Sequence, residues 1–171
     1  SSMDMTLKAK NDSPQILIYH THSQEAFIDS ELGNIDTTIV GAGELLATIL
    51  KEEYGYNVIH HMGEYDVPDR DYAYSKSLPA LEQLLKENPS IEVVIDLHRD
   101  GVKETTHLIT DLGGKQTAQI MFFNGLSYTR KNGAISYLEN KNLQENLAFS
   151  FQMHCNRAFS TLFLCSGFLK P

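Results

Sequence analysis

The order of apolar segments up to residue 98 constrains this chain most. Residues 15–20 (QILIYH), 57–61 (NVIHH) and 91–98 (IEVVIDLH) are short runs with β-branched residues, and each reads as a strand. Between the first two, residues 38–54 carry Ala42, Leu46, Ile49, Leu50 and Glu53 on one helical stripe, and Gly55 closes the end. Between the second and third, residues 72–88 carry Leu78, Leu81, Leu84 and Leu85 on a second stripe, stopped by Pro89. Pro79 lies inside that stretch, so a start at Ser77 with Pro79 in the first turn is an alternative. Strand, helix, strand, helix, strand is the signature of a parallel sheet with right-handed crossovers. The near-continuous apolar centre of 91–98 suits a strand covered on both faces. The expected fold is therefore α/β, a mainly parallel sheet with helices on both faces.

Beyond residue 98 the pattern changes. Residues 105–110 and 115–123 read as a β-hairpin around Asp111-Leu112-Gly113-Gly114. Residues 127–137 form a polar loop, and 139–163 read as mostly helical with Leu143, Leu147, Phe151, His154 and Ala158 aligned. Residues 1–14 form a polar tail in which Ser1, Ser2 and Met3 look like a cloning scar, and 15–171 form a single domain. Hydrophobic residues, at 42%, suffice for a core. No apolar run reaches the roughly 18 residues of a membrane span. A formal charge of −8 argues against nucleic acid and anionic lipid as partners, because no basic excess exists to neutralise phosphates. Cys155 and Cys165 are too few for a disulfide framework and read as packing residues.

The chemistry lies in the histidines. His20, His60, His61 and His98 fall at the carboxyl ends of expected strands, and His22 follows just beyond one. Ligands of open α/β sheets bind at that edge. In His22-Ser23-Gln24-Glu25 an imidazole and a carboxylate three residues apart can aim at one cation, and such N and O donors suit zinc. His98 closes the central strand at the same edge and is the best third ligand. Glu44, early in the first helix, is a rival for the acidic position, although a first-turn acid is also favoured by the helix dipole. His20 shares a strand face with His22 and reads as a buried supporting residue. Of His60 and His61 one faces solvent, and His107 and His154 are structural. Arg99 is a candidate clamp for a substrate carboxylate through its planar fork, or half of a surface ion pair. Asp96 or Asp100 can hold the His98 ring. The loops 62–71 and 125–137 have the Tyr, Asp, Arg and Asn content of a cleft rim.

Two segments, Ile18-Tyr19-His20-Thr21-His22-Ser23-Gln24-Glu25 and Val94-Ile95-Asp96-Leu97-His98-Arg99-Asp100-Gly101, resemble the stage II sporulation protein P family. Residues 43–61 and 75–89 are similar to it as well. The resemblance implies a zinc-dependent cell-wall hydrolase of endospore formers. Such an enzyme cuts the bond between N-acetylmuramic acid and L-alanine in peptidoglycan, and also peptide cross-links. It implies work beside the transglycosylase stage II sporulation protein D during engulfment. It also implies an N-terminal membrane anchor upstream of this chain and a location between the two membranes. It puts the metal ligands at His22 and His98 and favours Glu25 for the acidic one, although related zinc amidases take it from a position nearer Glu44. Family members continue past a segment like Leu169-Lys170-Pro171 into a further strand with a glutamate base, so this chain is expected to end before it.

The expected chemistry is amide hydrolysis by metal-activated water. A zinc carboxypeptidase-like peptidase is an alternative that needs Arg99 or Arg130 in the cleft. A non-catalytic wall-binding module is another. A structural domain whose histidines are satisfied in the core is the blandest.

Overall fold

Parallel strands form where the apolar runs lie. The computed structural model describes residues 3–8, 12–103, 105–131, 133–136, 139–155 and 167–169. In it β1 (Ile16–Tyr19) runs between β2 (Val58–His61) and β3 (Val93–Asp96), parallel to both. The register sets Ile18 beside His60 on one side and Tyr19 beside Asp96 on the other. Helix α1 (Ile39–Glu52) joins β1 to β2, and α2 (Ala73–Glu87) carries the chain back across to β3.

Alternation along the strands splits the core. Ile16, Ile18, Val93 and Ile95 pack on one face with Val40, Leu46, Ala47 and Leu50 of α1. Leu17, Tyr19 and Val94 pack on the other with Leu81 of α2. Helices therefore cover both faces, as the apolar centre of the third strand predicts. The strand order reverses at β1, with β2 on one side and β3 on the other, and the carboxyl edge between β1 and β3 is the switch point where doubly wound sheets bind ligands.

The local signals act as expected. The Thr38 side chain accepts the Val40 N–H and caps α1. Gly55, at φ 68°, lets its N–H reach Lys51 O at 3.1 Å and ends that helix. Helix α2 starts at Ala73 rather than Ser77, so Pro79 lies in its interior. A preceding 3-10 turn, Arg70–Tyr72, capped by the Asp69 side chain, supplies that earlier start. Leu78, expected on the apolar face of α2, is 55% exposed, whereas Ala73 and Ser77 are buried.

The hairpin forms from β4 (Ile109–Leu112) and β5 (Lys115–Ala118), a shorter and later pairing than the sequence suggests. Gly113 and Gly114, both at positive φ, make the two-residue turn. A small pair, β6 (Tyr128–Thr129) with β7 (Gly133–Ala134), occupies part of the expected polar loop. Helix α3 covers Leu143–Cys155; residues 156–166, including most of the expected C-terminal half of this helix and Cys165, lie outside the described residues. Its expected stripe is out of phase. Leu147, Phe151 and His154 are exposed, while Ala148 and Ser150 are buried and Phe149 and Met153 pack on the α1-side core. Finally β8 (Gly167–Leu169) adds antiparallel to β3, a strand the sequence pattern does not reveal. Residues before β1 touch the body: Leu7 packs against the α1-side core and the Lys8 N–H donates to Glu92. Among the described residues no helix is long and apolar enough to cross a membrane.

Candidate functional site

A cleft of about 370 Å³ opens at the β1/β3 switch point, lined by His22, Glu25, Arg70, Tyr74, His98 and Arg99 among others. The expected ligands meet here. The rings of His22 and His98 are 5.3 Å apart, and Glu25 Oε2 lies 3.5 Å from His98 Nδ1. Tyr74, from the first turn of α2, packs edge-on against His22 and stacks near His98.

Each side chain is held from behind by a named carboxylate. Asp66 is buried and accepts the Ser23 N–H (3.2 Å), the Ser23 hydroxyl (2.8 Å) and the Gln24 N–H (3.1 Å). It therefore clamps the turn that carries His22 and Glu25, and lies 3.9 Å from His22 Nδ1. Asp96 accepts the Thr21 N–H and hydroxyl, at 2.9 and 2.6 Å, and faces His98 Nε2 at 2.9 Å. Asp96 therefore backs the Nε2 edge of the His98 ring, as Asp66 backs the Nδ1 edge of His22. Glu25 is the hub: Oε1 accepts from Arg70 at 2.8 Å and Oε2 from the Arg99 N–H at 2.6 Å. Its own carbonyl accepts the Ile39 N–H, which ties the turn to α1.

The charges follow. Burial opposes ionisation of Glu25, but His98, Arg70 and the Arg99 N–H outweigh it and hold the carboxyl down at about 2. Burial likewise opposes a charge on His98, yet Asp96 and Glu25 lift it to about 9. His22 is pushed down by burial and by the cations Arg70 and His98, against the pull of Glu25 and Asp66. Two imidazoles beside a carboxylate are a donor set that fits zinc, through the ring nitrogens not turned to Asp66 and Asp96. In this arrangement Glu25 is engaged by two donors, and among the described residues no three His, Cys, Asp or Glu side chains are gathered as a metal cluster.

The other candidates go elsewhere. Glu44 accepts from His60 Nδ1 at 2.8 Å on the α1 side, and His60 Nε2 shares a 2.9 Å hydrogen bond with His20 Nε2. His20 is fully buried, donates from Nδ1 to Leu97 O, and is pushed down to about 4 by burial. Strand pairing ends at Tyr19, so the alternation that would put His20 and His22 on one face does not reach them; His20 meets α1 and His22 meets α2. Neither His60 nor His61 is exposed, and His61 bonds the Tyr65 hydroxyl. His107 and His154, expected to be structural, are exposed. Arg99 lines the cleft, but its guanidinium bonds Ala26 O (2.8 Å) and Asp100 O (3.2 Å). It staples the β3 loop to the β1 loop.

The family model for stage II sporulation protein P (SpoIIP) matches residues 1–162. The chain belongs to the stage II sporulation protein P family. Stage II sporulation protein P of Bacillus subtilis (strain 168) is 24% identical to it over 166 residues, covering 88% of this chain. The chain spans 38% of that relative's length, and no solved structure matches it.

Set in this sporulation family, the site also has side chains that sequence reasoning missed: Arg70 and Tyr74 on the cleft wall, and the buried Asp66 behind His22. The polar content of loop 62–71 was the available signal for Asp66 and Arg70, and it marks a real rim. The described residues of loop 125–137 do not line the cleft; Met121 and Phe123, just before it, do.

Proposed function

We propose that this domain is a peptidoglycan hydrolase. It would be an N-acetylmuramoyl-L-alanine amidase and endopeptidase of forespore engulfment that uses zinc held by His22, Glu25 and His98. The observation that carries the reading is the meeting of two imidazoles, each backed by a carboxylate, with the Glu25 carboxylate in one cleft at a sheet switch point, in a chain of this family. Zinc bound there would supply a water ionisable near neutral pH and polarise the scissile carbonyl. The chain's own residues do the rest. Asp66 and Asp96 aim the two histidines, and Arg70 with the Arg99 N–H orients Glu25. Tyr74 walls the histidines on the α2 side. Glu25 lines the cleft with His22 and His98 whereas Glu44 lies in the separate His20–His60 cluster, which favours Glu25 as the acidic ligand. Glu25 then cannot also serve as the base, and the proton acceptor is a carboxylate outside this set. The native setting would be extracytoplasmic, between the two sporangial membranes behind an N-terminal anchor, beside the transglycosylase stage II sporulation protein D.

The test is incubation of the zinc-loaded protein, carried on through the strand expected to follow Lys170-Pro171, with purified sacculi and mass spectrometry of what is released. Stem peptides with a free N-terminal alanine are expected, abolished by a chelator. Release of only C-terminal amino acids would point to a carboxypeptidase, and sacculus binding without release to a wall-binding module; either result overturns the reading.

A further inference from the structure

We propose that Arg70 is the anchor for a substrate carboxylate, which makes this cleft selective for anionic peptides. The inference rests on the hydrolase reading for where the peptide lies. Arg70 stands at the mouth of the cleft on the 3-10 turn before α2, with its side chain 57% exposed. A guanidinium carries five N–H donors in a rigid fork. One Nη2 bond goes to Glu25 Oε1, and this buried carboxylate fixes the plane of the fork. The remaining donors face the cleft and solvent. The neighbouring acid Asp69 does not take them, because its carboxylate caps the Asp71 N–H.

The second arginine of the cleft supplies the contrast. Arg99 has both its Nε and Nη1 committed to main-chain carbonyls. With one of its five donors engaged, Arg70 keeps more of its fork for an incoming oxyanion than Arg99, which has two engaged, and a planar fork already held by one bond binds a carboxylate with little further loss of freedom. The chain's −8 charge makes such a local cation more discriminating, since an anionic peptide is repelled elsewhere on the surface.

The probes are N-acetylmuramoyl-L-alanyl-D-isoglutamate with both carboxylates free, and the same molecule with both amidated. Binding to the metal-free protein is measured by calorimetry, and cleavage by the zinc-loaded protein is followed separately. Wild type should bind the acid about 10- to 100-fold tighter than the amide, the worth of one charge-assisted pair. In Arg70→Gln the ratio should fall to near one, and in Arg70→Lys, which keeps the charge without the fork, it should be intermediate. Arg99→Gln should keep the wild-type ratio. No preference in wild type, a ratio that survives Arg70→Gln, or a ratio that collapses in Arg99→Gln instead overturns the assignment. An acid preference without any cleavage, by a protein carried on through the strand expected after Lys170-Pro171, sinks the hydrolase reading and leaves the anchor standing.

Discussion

Replacing Asp66 with alanine should unfasten the turn that presents His22 and Glu25. The carboxylate is 2% exposed and accepts three hydrogen bonds from Ser23 and Gln24. Its removal leaves the Ser23 N–H without a partner in a buried position, at a cost of about 1–3 kcal/mol. The Gln24 N–H lies nearer solvent and water can replace part of its bond, so it adds roughly 1 kcal/mol. The Gln24 amide donates to the Ser23 hydroxyl and cannot accept its proton, so that O–H also loses its acceptor and adds roughly 1 kcal/mol. The sum is a loss of about 3–5 kcal/mol, or roughly 6–20 °C in Tm for a chain of this size. Asp66→Asn keeps one acceptor oxygen but turns an NH2 toward a donor, so its loss should be about half that. Beyond stability, a misaimed His22 should weaken zinc binding by about 10- to 100-fold, the usual effect of removing an orienting partner. Thermal and urea unfolding of the metal-free protein give the first number, and competition against a zinc chelator on the folded protein gives the second. An alanine variant within about 1 kcal/mol of wild type would show that the carboxylate does not hold the turn. A destabilised variant with unchanged zinc affinity would show that the turn presents its ligands without it.

Three further outcomes are expected. Wild type should bind about one zinc by elemental analysis and His22→Ala or His98→Ala little, because three protein ligands are the usual minimum; retention of stoichiometric zinc by either variant refutes the ligand set. Gly43→Ala should destabilise by about 2–3 kcal/mol in urea unfolding, because its Cβ would lie 2.6 Å from His20 Nε2 and 2.7 Å from His60 Nε2 in a hydrogen-bonded cluster that cannot give way; wild-type stability would show that the two rings are free to move. The metal-free protein should also show a two-sided pH profile. His98 is raised from 6.5 to about 9, so its contribution is full below 6.5 and is lost as pH rises through 9. Glu25 is lowered from 4.5 to about 2, so its contribution is full above 4.5 and is lost as pH falls through 2. Urea midpoints should therefore fall between pH 6.5 and 9 in wild type and not in His98→Ala; a flat wild-type profile over that range refutes the ion-pair assignment.

What the sequence makes legible here is what repeats. The strand–helix alternation yields the sheet and its covered faces because burial on two sides leaves runs such as Val93–Asp96 with no polar gap. His22, Glu25 and His98 are legible because strand ends converge whatever lies between them. Helix α3 is misread because its apolar residues nearly surround it: Leu147 and Phe151 offer as good a stripe as Phe149 and Met153, and only the position of the α1-side core chooses between them. Asp66 and Arg70 sit in a loop with no period, so nothing along the chain says that one faces inward and the other the rim.

The choice between Glu25 and Glu44 was open for a related reason. Both lie near the carboxyl edge, both have a histidine within reach, and spacing alone cannot rank them. The sheet separates them. The pairing of Ile18 with His60 brings His60 against His20 on the α1 side, and Glu44 from α1 closes that cluster where Gly43 leaves room for the two rings. The pairing of Tyr19 with Asp96 brings His98 beside the turn after β1, where Glu25 waits on the other side. Two acid–histidine clusters thus share one strand end and are kept apart by β1 itself. One packs against α1 with its two rings bonded to each other and to an exposed Glu44; the other lines the cleft, and that difference, more than any motif, is what argues for chemistry at His22 and His98.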